Sequence, residues 1–204
     1  MSTTEHINAF LDAAKHGDVQ GLQRGLAQEV DVNCSNRQGR TAITLASLNR
    51  HYECVSMLIG AGADIDLQDE TCFNPFLISC LTGDLRLLRL VLPAGPDLTR
   101  LTRFGGVGLT PACEKGHVEI VRELLSQTTI NVNQTNFLGW TPLLEAIVLN
   151  DGGERQQEII QLLLTHGANP GMTDKYGKTP LYLARSLGFT AIADLLLTAG
   201  AQDD

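Results

Sequence analysis

The 204-residue chain is 43% hydrophobic and carries 15 Lys and Arg against 23 Asp and Glu, a net charge of −8. That apolar content supports a packed core in one domain or one repeat array, and the acidic balance repels phosphate, which argues against nucleic acid as the main partner. No stretch approaches the length needed to cross a bilayer, Met1 to His6 lack a basic segment followed by an apolar core, and five cysteines without paired spacing suit a reducing compartment, so the expected location is cytoplasmic.

In chain order, residues 1–7 read as a short tail. Asn8 to Asn33 form a worn first helix pair that keeps Ala13-Ala14-Lys15-His16-Gly17-Asp18 but has Gly21, Gln23 and Gly25 in its second helix. A second pair starts at Thr41 and closes with Gly62-Ala63-Asp64. A third starts at Asn74-Pro75 and closes with Gly95-Pro96-Asp97, with Pro93 stopping its second helix early. The fourth is irregular, because Val107 and Gly108 occupy the cap and first-turn slots and the Thr110-Pro111 pair falls three residues late. Two registers are open there. The late start at Thr110 is favoured, since an earlier one places Pro111 where it removes a helix hydrogen bond.

The fifth unit is the clearest. Thr141 caps a helix by accepting from unpaired backbone N–H groups, and Pro142 suits the first helical position. Ala146 is small enough for a neighbouring helix to approach. Ile159, Ile160, Leu163 and Leu164 form an apolar stripe at helical spacing, and Gly167 ends that second helix. Five extra residues around Asn150-Asp151-Gly152-Gly153-Glu154 mark an exposed loop between the two helices. The sixth unit starts at Thr179-Pro180 and runs to Gln202-Asp203-Asp204.

The equivalent positions Asn8, Thr41, Asn74, Val107, Thr141 and Thr179 are separated by 33, 33, 33, 34 and 38 residues. Two residues further on stand Phe10, Ile43, Phe76, Leu109, Leu143 and Leu181, all large. Five further on stand Ala13, Ala46, Ser79, Ala112, Ala146 and Ala184, all small. Nine further on stand Gly17, Arg50, Gly83, Gly116 and Gly188. Large and small slots that alternate let stacked helices interdigitate, and no single unit can bury its own apolar face.

The period, together with the Thr-Pro-Leu…Ala, Gly-His, Leu-Leu and Gly-Ala-Asp elements, resembles ankyrin repeats over essentially the whole chain. Within that family the chain is similar to compact, free-standing bacterial members. The resemblance implies an all-α fold, an α-solenoid of about six stacked helix-turn-helix repeats in a single domain, 1–204. The repeats span roughly 3–33, 34–66, 67–99, 100–133, 134–170 and 171–204. It also implies a non-catalytic protein–protein interaction scaffold that needs no cofactor or metal and binds through loop tips and the concave face of the first helices.

Other chemistries find less support. Phe104-Gly105-Gly106-Val107-Gly108 lacks the preceding strand and the Lys-Ser/Thr pair of a phosphate-cradling loop. It still leaves one alternative open, a small-molecule or phosphate-binding regulator using the fourth repeat. His51 and His117 sit in or beside the Gly-His slot and are expected to bridge repeats. Cys80 and Cys113 share a small slot and read as packed thiols, whereas Cys72 replaces a turn glycine and is expected to be more exposed.

Carried over residue by residue, the family's tip positions are Arg37, Gln38 and Arg40; Glu70, Thr71 and Phe73; Arg103 and Phe104; Phe137, Leu138 and Trp140; and Lys175, Tyr176 and Lys178. The helix slots facing the groove include Leu48, Leu81, Lys115, Leu149 and Leu187. The framework would accept polar residues at these places, yet aromatic and Leu residues recur, as interfaces favour. The expected partner-binding residues are Phe73, Arg103, Phe104, Phe137, Leu138, Trp140, Leu149, Tyr176 and Lys178. Trp140 is expected at the centre as an exposed indole, with the loop from Asn150 to Glu154 close by. The partner is another protein with an acidic or mixed surface, met by a monomer, with neither nucleic acid nor membrane involved.

Overall fold

A computed structural model describes residues 3–202. Met1 and Ser2 of the expected tail, and Asp203 and Asp204 at the expected end, lie outside them. The caps behave as their chemistry dictates. Thr41, Asn74, Thr141 and Thr179 each accept a hydrogen bond from the backbone N–H three residues ahead, at 3.4, 2.8, 3.2 and 3.0 Å. Pro follows three of these caps at the first helical position, where no donor is needed.

The helices fall into two units. The first, up to Asp97, holds α1 (Thr3–His16), α2 (Val19–Ala27), α3 (Ala42–Leu48), α4 (Tyr52–Gly60), α5 (Pro75–Thr82) and α6 (Leu85–Val91). In it α1, α3 and α5 pack side by side, and α2, α4 and α6 form a second layer against them. The second unit, from Leu98, holds α7 (Leu109–Glu114), α8 (Val118–Gln127), α9 (Pro142–Val148), α10 (Glu154–Thr165), α11 (Pro180–Ser186) and α12 (Thr190–Thr198), layered the same way. All six large slot residues, from Phe10 to Leu181, are buried, and so are all six small ones. Cys80 and Cys113 are fully buried free thiols, and burial pushes that of Cys80 up to about 12.

Recurring left-handed positions shape the turns, two of them around the first helix of the repeat. At the slot nine residues past the cap, Gly17, Gly83, Gly116 and Gly188 all have positive φ, and Arg50 adopts 58° in their place. Arg50 extends its guanidinium to Asp84, 3.5 Å away, which also accepts from the Tyr52 hydroxyl at 2.8 Å. In the tip turn, Cys72 takes φ 63° where Gly39, Gly105, Gly139 and Gly177 stand in other repeats, and its side chain is half-buried. His51 bridges repeats as expected, with Nε2 3.0 Å from the Lys15 carbonyl. Its ring lies where a Cβ on Gly17 would stand.

Three expectations are corrected. Residues 3–7 are not a tail. They open α1, a 14-residue helix in which Asn8 is an exposed interior residue and caps nothing. No turn element precedes Asn8 to interrupt the helix, and Glu5 in the first turn suits the positive end of the dipole. Helix α7 begins at Leu109, one residue before Thr110. Pro111 is then the third helical residue, a position whose N–H has no intrahelical partner, so proline is tolerated. The Asn150–Glu154 insert also lengthens the second helix, since α10 has 12 residues where α4 and α12 have nine.

Pro93 acts as expected. Helix α6 ends at Val91 and passes into a 3-10 turn, Leu92–Ala94.

One cap leaves a defect. Asn74 is fully buried, and its Nδ2 has no hydrogen-bond partner among the described residues. Threonine fills this slot at Thr41, Thr141 and Thr179 without that orphan donor. Asn74→Thr is therefore expected to raise stability by about 1 kcal/mol, the scale of an unsatisfied buried donor, measured by denaturant melts of the two proteins.

Candidate partner-binding surface

Each tip is folded by one side chain five residues ahead of the helix cap. Asn136 Oδ1 accepts from Leu138 N–H at 2.8 Å and from Trp140 N–H at 3.0 Å. Asn36, Asp69 and Asp174 make the same pair of bonds in their own repeats. The fourth repeat has Thr102 there, with a single bond to Phe104 N–H at 3.4 Å.

In the second unit three tips lie against one another. Phe137 N–H donates to the Phe104 carbonyl at 3.0 Å, and the Phe137 ring covers Gly105 so closely that a Cβ there would stand 2.5 Å from Cδ1. Gly139 meets the backbone of Lys175, where a Cβ would stand 3.3 Å from the amide nitrogen. Phe104, Phe137, Leu138 and Tyr176 are thereby brought together, exposed by 63, 75, 45 and 73%. Basic groups lie over rings in the same region: Arg103 over Phe104 at 4.6 Å, Lys175 over Tyr176 at 5.1 Å and Lys178 over Tyr182 at 3.9 Å. Among the described residues none of these three cations has a carboxylate at ion-pair distance. Arg24, Arg40, Arg50, Lys115 and Arg122 all do.

Several expected site residues stand elsewhere. Trp140 is half-buried, not an exposed indole, because its N–H and carbonyl are both tied to Asn136 and the helix cap follows at once. Leu149 is exposed but ends α9 at the opposite pole from Trp140, one seven-residue helix away, roughly 10 Å. The insert is there too, and not beside the tips. With Lys115 and Leu149 it lines an open groove of about 610 Å³ that includes Asp151, Glu154 and Arg155. Gly152 braces it against the ring of Phe189. Phe73 belongs to the first unit and is half-buried. Arg40 is not a free tip cation, since its Nε donates to the buried Asp69 at 2.9 Å.

The glycines of the fourth repeat have packing duties. Gly105 receives Phe137, and Gly106 faces the Thr110 side chain, which a Cβ would approach to 2.8 Å. Nothing in that arrangement supports a phosphate cradle.

Sequence reasoning missed Tyr182, the Asn and Asp residues that fold the tips, and Glu145. The recurrence of Asn36, Asp69, Asn136 and Asp174 at one offset was the available signal for the second group. Glu145 stands where other repeats have Leu45, Ile78, Pro111 and Leu183. It is 6% exposed and accepts from Asn136 Nδ2 at 2.5 Å. Burial, reinforced by the negative charge of Glu114, pushes its pKa up to about 7, against the opposing pull of the Asn136 bond and Lys115.

Two family models cover most of the chain: ankyrin repeats (3 copies) match residues 76–174 and 112–204, and ankyrin repeats (many copies) match 10–59 and 50–92. The chain belongs to the ankyrin repeat family, whose fold is an all-α solenoid. The ankyrin repeat protein YahD of Escherichia coli (strain K12) is 68% identical over 192 residues, 94% of this chain and 96% of that protein. A crystal structure of an ankyrin repeat domain from Acinetobacter baumannii AYE superposes with a TM-score of 0.91 at 42% identity, covering 95% of this chain and 98% of that one. A second, of the ankyrin repeat protein EF0377, gives 0.89 at 33% identity over 94% and 97%. Ankyrin repeat proteins generally mediate protein–protein interaction and are typically non-enzymatic scaffolds.

The buried Glu145 carries a consequence for stability. The folded chain holds its proton more tightly than the unfolded chain does. Stability therefore falls as pH rises from the ordinary value near 4.5 to about 7, then levels off. Glu145→Gln is expected to remove that part of the pH dependence, read from melting temperatures across the same window.

Proposed function

We propose that this chain is a non-catalytic capture module, monomeric and cytoplasmic, that binds another protein through the tips of its fourth to sixth repeats. The reading is carried by the coincidence of exposed Phe104, Phe137, Leu138 and Tyr176 with the unpaired cations Arg103, Lys175 and Lys178 on a protein of net charge −8. Framework packing asks for neither feature at a tip. Large exposed apolar patches on soluble proteins mark interaction sites, and aromatic and Arg side chains are their usual anchors.

The partner segment is acidic, with apolar side chains to cover the rings. A basic patch on an acidic protein orients such a segment during encounter, while the protein's overall charge repels it elsewhere. Phe73 and Leu149 are not part of this patch. Trp140 is half-buried, and its backbone N–H is held by Asn136 next to the helix cap. The cytoplasmic assignment is supported by five free thiols and, among the described residues, by the lack of a helix long and apolar enough to cross a membrane.

Affinity capture from a source lysate tests the reading. A Phe104→Ser/Phe137→Ser double variant should lose the captured protein while melting as the parent does. Trp140→Ala should weaken binding by roughly 2 kcal/mol. Association should slow markedly between about 0.05 and about 0.5 M salt, as attraction between exposed charges is screened. Capture by the double variant at the parent's level would remove the tips from the function.

A further inference from the structure

The middle tip of the patch is held from beneath by a carboxyl group. Asn136 is buried and has two hydrogen-bonding ends. Its Oδ1 faces the loop and takes the N–H groups of Leu138 and Trp140, and its Nδ2 points down to Glu145 Oε1. In the repeats of Asn36, Asp69 and Asp174 the slot beneath, four residues past the cap, holds Leu45, Ile78 and Leu183. A carboxyl in this apolar slot adds nothing to helix packing and costs desolvation. What it does is fix the orientation of one amide.

We propose that Glu145 is the positioning residue of this tip, so that the partner-binding surface is fully presented only while its carboxyl is ionised. The inference rests on the reading of the tips as the partner surface. An ionised carboxylate only accepts, so Asn136 must turn its NH₂ toward it, which aims the amide oxygen at the loop. The neutral acid keeps a carbonyl oxygen but loses its charge, so the bond from Asn136 Nδ2 is no longer charge-assisted and its hold on the amide weakens. Asn136 is then freer to turn, and the Leu138 and Trp140 bonds it supports open more often.

The surroundings place this exchange in a usable range. The elements packed against α9 bring Glu114 and Lys115 from α7, Glu154, Arg155 and Glu158 from α10, and Arg185 from α11. Glu114 disfavours the ionised form of Glu145 and Lys115 favours it, while the two bond each other at 2.6 Å. With burial, the balance leaves the carboxyl titrating near 7.

Trp140 is the sole tryptophan and lies on the loop in question, so the free, full-length protein reports on itself. Its emission should titrate with a midpoint near 7, and Leu138 and Trp140 amides should exchange at least about tenfold faster below the midpoint than above it, after correction for intrinsic rates. Glu145→Gln keeps the acceptor for Asn136 and should abolish both transitions. Glu114→Gln, which leaves Glu145 in place, should move the midpoint to lower pH. A flat Trp140 titration in the parent, or the same titration in Glu145→Gln, would overturn the inference. So would an unmoved midpoint in Glu114→Gln, which decides the matter even should the first variant fail to fold. No partner enters these measurements, so their failure leaves the capture experiment to judge the tips by itself.

Discussion

The interaction on which the architecture depends is a side-chain oxygen closing a loop on its own backbone. In four repeats an Asn or Asp five residues before the helix cap takes two tip N–H groups, at positions two and four residues ahead. The intervening residue is left-handed, and the cap follows directly. One acceptor thus orients the tip, sets the entry angle of the first helix and exposes two side chains. Where it is missing the consequences are visible. The fourth repeat has Thr102, a glycine-rich tip, and a first helix whose start at Gly108 has no side-chain cap.

Successive tips then lock by main-chain bonds. Phe137 donates to Phe104 in the second unit and Glu70 to Gln38 in the first. At the base of the loops, Asn33 accepts from Asp64 N–H, Asp66 from Asp97 and Asn133 from Asn169. These polar contacts join neighbours only, as the near-additive energetics of a repeat array require.

Two buried carboxylates show how little separates a structural group from a responsive one. Burial pushes the pKa of Asp69 up, but hydrogen bonds from Thr71, the Phe73 N–H and Arg40 outweigh it and hold the carboxyl below its ordinary value. Glu145 has a single donor, Asn136, and a like charge, Glu114, on the neighbouring helix, so the balance falls the other way. Burial is common to both; the number of donors and the sign of the nearest charge decide.

The helix pairs were legible in the sequence because their determinants are local. Thr141-Pro142 caps and starts a helix whatever lies around it, Gly167 ends one, and slots such as Leu143 and Ala146 recur because each repeat meets the same neighbours. The tip aromatics were legible for the converse reason, since the framework has no use for Phe137 or Tyr176 where they stand. Contacts across tens of residues were not legible. That Arg40 is consumed by Asp69, that Gly105 makes room for the Phe137 ring, that Leu149 and the insert lie a helix length from Trp140, and that Glu145 holds Asn136 all depend on which atoms meet after stacking. Spacing along the chain determined the repeat, its helices and which positions form the tips. Only the tertiary structure decided which of them stand together and which charges remain unpaired, because pairing is settled by distance in space, and the repeats bring together groups that lie a full period apart in the chain.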